Sequence, residues 1–268
     1  EHIKKAKDQI IKIRNKIKTK KEELRIELDD VVYGDLIYDT YLKSQMKPSL
    51  NINDTKFQEL LFDFIQLYYF WVDYFENHNI KSIVGVHTSY SYGIPLRIAI
   101  NREIPTYVTG LRKVNKLSKK MRFYGGEFIE FPEMFKKIDI KIREDGIKKA
   151  KKKLEDRKKG ISGVKVDLIS SEISSFHGNY INRKITNNKK IKILITTHDF
   201  FDAIHAKGDI LFPDFYEWID FLGKMSDTTN YDWYIKNRPN YPGKFQKYQP
   251  FTTNVVNDFL YKYKKIKL

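Results

Sequence analysis

The sequence predicts an α/β fold made of two Rossmann-like domains, and three observations carry that expectation. First, KSIVGVH (81–87), a polar loop, the helical PLRIAINRE and a second short strand at 104–109 follow one another in the order strand, loop, helix, strand. Second, the same alternation returns at KIKILIT (190–196), FPDFYEWIDFLGKM (212–225), YDWYIK (231–236) and TTNVVNDFLYKYKK (252–265). Third, the polar INRKITNNKK that closes the irregular stretch 161–190 reads as an inter-domain linker. The expected division is therefore residues 1–180 and 181–268.

Each element has a local reason. Ile3, Ile10, Ile13 and Ile17 recur at helical spacings among lysines, which predicts one helix over 1–28. Val31 and Val32 begin a short extended piece that Gly34 breaks, and Asp35 can cap the helix that follows. Asp54 or Asn53 can cap a long helix over 55–79, which is apolar nearly all round and so is expected to be buried. The aromatic, turn-rich 110–142 reads as mostly loop, and a lysine-rich helix spans 143–158. The chain opens inside a helical pattern and closes after two βα units, so both domains are expected to be incomplete.

Composition narrows the function. Of 268 residues, 41% are hydrophobic and 15% aromatic, enough for a packed core. Without cysteine there can be no disulfide and no thiolate metal site, which fits a reducing, cytoplasmic setting. No apolar run reaches the ~18–20 residues that span a bilayer. The net charge of +16 favours anionic partners, among them the inner face of an anionic membrane, although lysines spread along helices also simply solvate them. Nucleic acid is disfavoured because no stacking platform or groove-reading helix is evident. GxGxxG, Walker, HExxH and GxSxG motifs are absent.

Ligands of parallel α/β sheets bind outside the carboxyl ends of the strands, where three polar loops fall. In HTSYSYG (87–93), His87, Ser89 and Tyr90 can contact a polyhydroxylated ligand or cap the loop. In THDFFDAIHAKGD (197–209), His198, Asp199, Asp202 and His205 admit a metal site, an acid/base contact or a loop brace. His198 and Asp199 lie nearest the strand end and rank first, while Asp202 and His205 rank as loop structure. In NRPNYPGK (237–244), Arg238 joins Lys236 from the preceding strand as a potential phosphate clamp. Asp35 is a helix cap or an acceptor-side base, with Asp39 one turn further on.

Four stretches together resemble the bacterial surface-carbohydrate and capsular-polysaccharide biosynthesis proteins, which are glycosyltransferase-like with GT-B architecture. They are YGDLIYDTYLK (33–43), IVGVHTSYSYGIPLRIA (83–99), HDFFDAIHAKGDILFPDFYEWIDFL (198–222) and WYIKNRPN (233–240). The resemblance implies an acceptor-binding N-terminal domain lined by His87, Ser89, Tyr90 and Asp39, and a donor-binding C-terminal domain. Catalysis would fall to His198, Asp199 and Asp35, and donor phosphate to Lys236 and Arg238. No metal or cofactor is implied, the nucleotide-sugar being a substrate. Lys236-Asn237-Arg238-Pro239 is similar to a K-x-H-P element of transferases using CMP-linked sugars, with Arg238 in place of the histidine. A degenerate, non-catalytic scaffold protein is the alternative reading.

Overall fold

The computed structural model describes residues 1–109, 114–120, 130–158, 185, 187–237 and 248–268. It is a mixed α/β protein with small sheets. Contacts divide it into two compact units, and the division is not a single cut: residues 1–127 and 199–221 form one, residues 128–198 and 222–268 the other.

The first unit begins with α1 (His2–Lys16), which packs along α4 (Thr55–Asn77). The single helix expected over 1–28 is instead broken. Ile17 is extended, Thr19 accepts the Glu22 N–H to cap the one-turn α2 (Lys20–Glu23), and the chain then enters β1 (Glu27–Leu28). Asp29 and Asp30 take left-handed φ values of 48° and 61° to turn β1 back antiparallel onto β2 (Val31–Val32). Aspartate tolerates the left-handed region better than most residues, so this pair, just past the predicted helix, was itself a turn signal.

Helix α3 (Gly34–Gln45) buries almost a full circumference, including Leu36, Ile37, Tyr38, Tyr41 and Leu42. Asp54 caps α4 as expected, accepting the Lys56 N–H at 2.9 Å. Helix α4 is buried on one face only, through Phe57, Leu61, Phe64, Ile65, Tyr68 and Phe75, while Leu67, Phe70 and Tyr74 reach solvent. Strand β3 (Ile83–Gly85) leads through a short 3-10 turn into α5 (Gly93–Asn101) and the parallel β4 (Thr106–Thr109). An antiparallel β5 (Val114–Lys116), which lies in a stretch read as loop, completes this sheet in the order β3-β4-β5. Its VNK sequence has no alternation long enough to show.

The second unit carries the short α6 (Phe131–Lys136) and α7 (Ile140–Lys158). Its sheet is wholly parallel, β6 (Lys192–Thr196), β7 (Asp232–Lys236) and β8 (Ile266–Lys267) in that order. Helices α8 (Phe215–Thr228) and α9 (Gln249–Lys262) fall between the strands in sequence. Strand β8 adds a third strand after the two βα units read from the sequence. Most of the linker read at 161–190 lies outside the described residues.

Gly34 shows how tightly the first unit is joined. A Cβ there would sit 2.1 Å from the carbonyl oxygen of Glu23 and 2.5 Å from the carbonyl carbon of Leu24, both backbone atoms that cannot swing aside. Gly34→Ala is expected to cost about 1–3 kcal/mol or more through overpacking. Thermal unfolding of the variant should show a midpoint lowered by several degrees, and an unchanged midpoint would refute the close packing.

Candidate functional site

The loop after β3 is shaped by backbone constraint. Tyr90 adopts a left-handed φ of 58°, and a Cβ at Gly93 would lie 2.5 Å from the Thr88 carbonyl oxygen. Tyr90 thereby donates its hydroxyl to Asp202 at 2.6 Å, and Lys43 reaches the same carboxylate at 2.9 Å. His87 stacks on Tyr90, with ring centroids 5.9 Å apart. The Ser89 N–H donates to His87 Nδ1 at 3.0 Å, which puts the proton of the neutral ring on Nε2. Burial lowers the His87 pKa and outweighs the opposing charge of Asp202, in keeping with a neutral ring. The hydroxyls of Thr88 and Ser89 are buried beside it without a hydrogen-bond partner. His87, Ser89 and Tyr90 thus share one loop, joined by Asp202, which the sequence had ranked as loop structure.

Asp35 does not cap α3. It lies in the first turn as a bidentate partner of Arg97, with Oδ1 and Oδ2 accepting Nη1 and Nη2 at 2.6 and 2.5 Å. Arg97 Nη1 also donates to the Val32 carbonyl at 2.6 Å, which ties β2, α3 and α5 together. The Arg97 side chain is 3% exposed and that of Asp35 13%, so this pair is largely withdrawn from water.

Asp39, one turn on, is paired with His205. Its carboxylate accepts His205 Nδ1 at 2.7 Å and the His205 backbone N–H at 3.1 Å. His205 Nε2 faces the Pro213 carbonyl at 3.0 Å. Two acceptors on the two ring nitrogens require both to carry hydrogen, the imidazolium form. Burial pulls the His205 pKa down, but the hydrogen bond and charge of Asp39 outweigh it and the pKa ends above the ordinary value. Burial raises the pKa of Asp39, with His205 opposing. The hydrogen-bond geometry is that of an ionic pair, carboxylate against imidazolium. A few residues on, the Asp214 carboxylate accepts the Tyr38 hydroxyl at 2.6 Å and the Glu217 N–H at 2.7 Å, and also binds Ser49.

Glu23 completes the group. It is fully buried, neither carboxyl oxygen has a hydrogen-bond partner, and burial followed by the charges of Asp35 and Asp39 drives its pKa far up. Beside these groups opens a cavity of about 420 Å³, lined by Asp35, His205, Lys21, Arg25, Asp209 and Phe212 among others. That volume suits a small ligand.

In the second unit, His198 is exposed just beyond the carboxyl end of β6, and Lys236 is exposed at the carboxyl end of β7. The Thr197 N–H donates to the Lys236 carbonyl at 3.0 Å, and the Thr197 hydroxyl lies 3.3 Å from Asn237 Oδ1. These two strand ends therefore adjoin, and the His198 and Lys236 expectations fall on one edge. Asp199 is buried and belongs by its contacts to the first unit, whereas Arg238 lies outside the described residues. Among the described residues no group of three or more His, Asp or Glu side chains is arranged to hold a metal ion.

Sequence reasoning passed over Arg97, Glu23, Lys21 and Arg25. Arg97 did carry a signal, since a cation inside the apolar LRIAI demands a buried partner. Glu23, one of four glutamates in the lysine-rich stretch 1–28, carried none. Comparison with protein-family models, with characterised proteins and with solved structures finds no match to this chain.

Two predictions follow from the buried charges. Arg97→Met leaves Asp35 and the Val32 carbonyl without their donors and is expected to cost about 3–5 kcal/mol. Adding Asp35→Asn should recover part of that loss, a coupling that a double-mutant cycle in urea measures. For Glu23, a pKa raised on folding means stability is fullest below about pH 4.5 and declines as pH rises towards the folded pKa. Glu23→Met is therefore expected to raise the unfolding midpoint, more at pH 8 than at pH 4.5. An equal effect at both would show that Glu23 does not titrate this way.

Proposed function

We propose that this chain is a glycosyltransferase-like protein of surface-polysaccharide biosynthesis, moving a sugar from a nucleotide-sugar donor, CMP-linked donors included, to a glycan acceptor. The observation that carries the reading is the cavity that Asp35, Lys21 and Arg25 all line. A sugar needs fixed acceptors for its hydroxyls and an apolar surface for its ring. Each Asp35 oxygen spends one lone pair on Arg97 and retains another, and Phe212 supplies apolar wall. Lys21 and Arg25 suit an acidic or phosphorylated sugar. In this reading the acceptor domain is 1–180 and the donor domain 181–268, both of Rossmann-like kind. A base takes the proton of the acceptor hydroxyl as its oxygen bonds to the anomeric carbon. The bond from that carbon to the donor phosphate breaks, and Lys236 and Arg238 stabilise the departing charge.

One observation favours the second reading, a non-catalytic glycan-binding protein. Both oxygens of Asp35 already accept from a guanidinium, and both nitrogens of His205 face acceptors. Neither is a strong base in that state.

Thermal shift with CMP-, UDP- and GDP-sugars, followed by assay of nucleotide release, separates the readings. Transfer predicts a shift with one donor, lost in Lys236→Ala, and nucleotide release reduced at least about 100-fold in Asp35→Asn. A shift with acidic sugars alone, and no release, identifies the binding protein. No shift with any donor or sugar would sink both.

A further inference from the structure

We infer that α6 and the following α7 form an interfacial segment that lies on an anionic lipid surface. Phe131, Met134 and Phe135 fall at i, i+3 and i+4, one face of α6, Ile138 follows in the turn just past its end, and each is 42–54% exposed. Ile140, Ile147 and Leu154 continue at seven-residue intervals along α7 and are 43–61% exposed, with Ile142 at 65%. Eight large apolar side chains thus reach solvent within the 24 residues from Phe131 to Leu154. A surface that only faces water does not collect them so densely.

Charge decides what covers them. From Lys136 to Lys153 nine Lys and Arg stand against three Asp and Glu. Such a basic, apolar-faced helix is drawn to acidic headgroups while its apolar side chains enter the acyl boundary. A second copy of the chain fits less well. In heptad register with Ile140, Ile147 and Leu154, the other seam positions are Arg143 and Ala150, which leaves too narrow a stripe for a coiled coil between strongly cationic helices. Among the described residues no helix is long and apolar enough to cross a membrane, so the segment would lie in the plane of the interface. This inference does not depend on the sugar-transfer reading, and either can fail alone.

Vesicle flotation of the full 268-residue chain tests it. Binding is expected to vesicles of phosphatidylcholine with about one quarter phosphatidylglycerol, not to phosphatidylcholine alone, and to fall at least about tenfold in roughly 0.5 M salt. Met134→Glu with Phe135→Glu, both at exposed positions, should abolish it without moving the unfolding midpoint. Leu211→Glu, at a position 94% exposed in the first unit, serves as the control and should bind as the parent does. Absence of binding to the acidic vesicles, or undiminished binding by the double variant, overturns the inference. So does a sedimenting dimer that the double variant dissolves, which would make the occupant a second copy.

Discussion

The first unit depends on the contact between Asp39 and His205, residues 166 positions apart. Two hydrogen bonds to one carboxylate, one from the ring and one from the backbone, fix both the position and the rotation of the 199–221 segment against α3. A few residues on, Tyr38 and Ser49 engage Asp214, the residue that caps α8. Apolar contacts alone could hold the segment near α3, but they would not select one register. The directional bonds do, and removing one partner would leave a buried charge with no compensation.

That arrangement also explains the charge chemistry around it. Glu23, Asp35 and Asp39 lie close enough for their charges to interact, and the balance is kept by Arg97 and a doubly protonated His205. Glu23 is the member without a hydrogen bond, and its carboxyl resists ionisation. A buried acid whose ionisation is disfavoured, within charge range of the cavity-lining Asp35, is a cost to folding that stability alone does not explain, and such costs concentrate where a protein binds or reacts.

The legible parts of the structure are those written in short-range pattern. The strand, loop and helix from Ile83 to Asn101, the individual strands β6 and β7, and the Asp54 cap all follow from periodicity and cap chemistry within about twenty residues. The break after Lys16 was hidden because Ile17, Lys18 and Thr19 continue the isoleucine and lysine pattern and are compatible with a helical reading. The candidate site was legible in its inventory and not in its pairing. Asp35, Asp39 and Tyr90 were visible as polar groups in α3 and in the loop after β3, yet the partners that define them, Arg97, His205 and Asp202, sit 62 to 166 residues away. No local rule ranks His205 above His198. Burial and a distant carboxylate do.

The discontinuous first unit has a consequence for synthesis. Its residues 1–127 leave the ribosome well before residues 199–221 exist, and at roughly 5–20 residues per second the interval is on the order of 4–15 s. During it, Tyr38 and Asp39 on α3 have neither Asp214 nor His205 to meet, and a face of α3 destined for burial stays open. The nascent chain therefore passes through a stage in which its most polar buried contacts are half made, a stage that a chaperone can shelter and that a synonymous change in translation speed can lengthen or shorten.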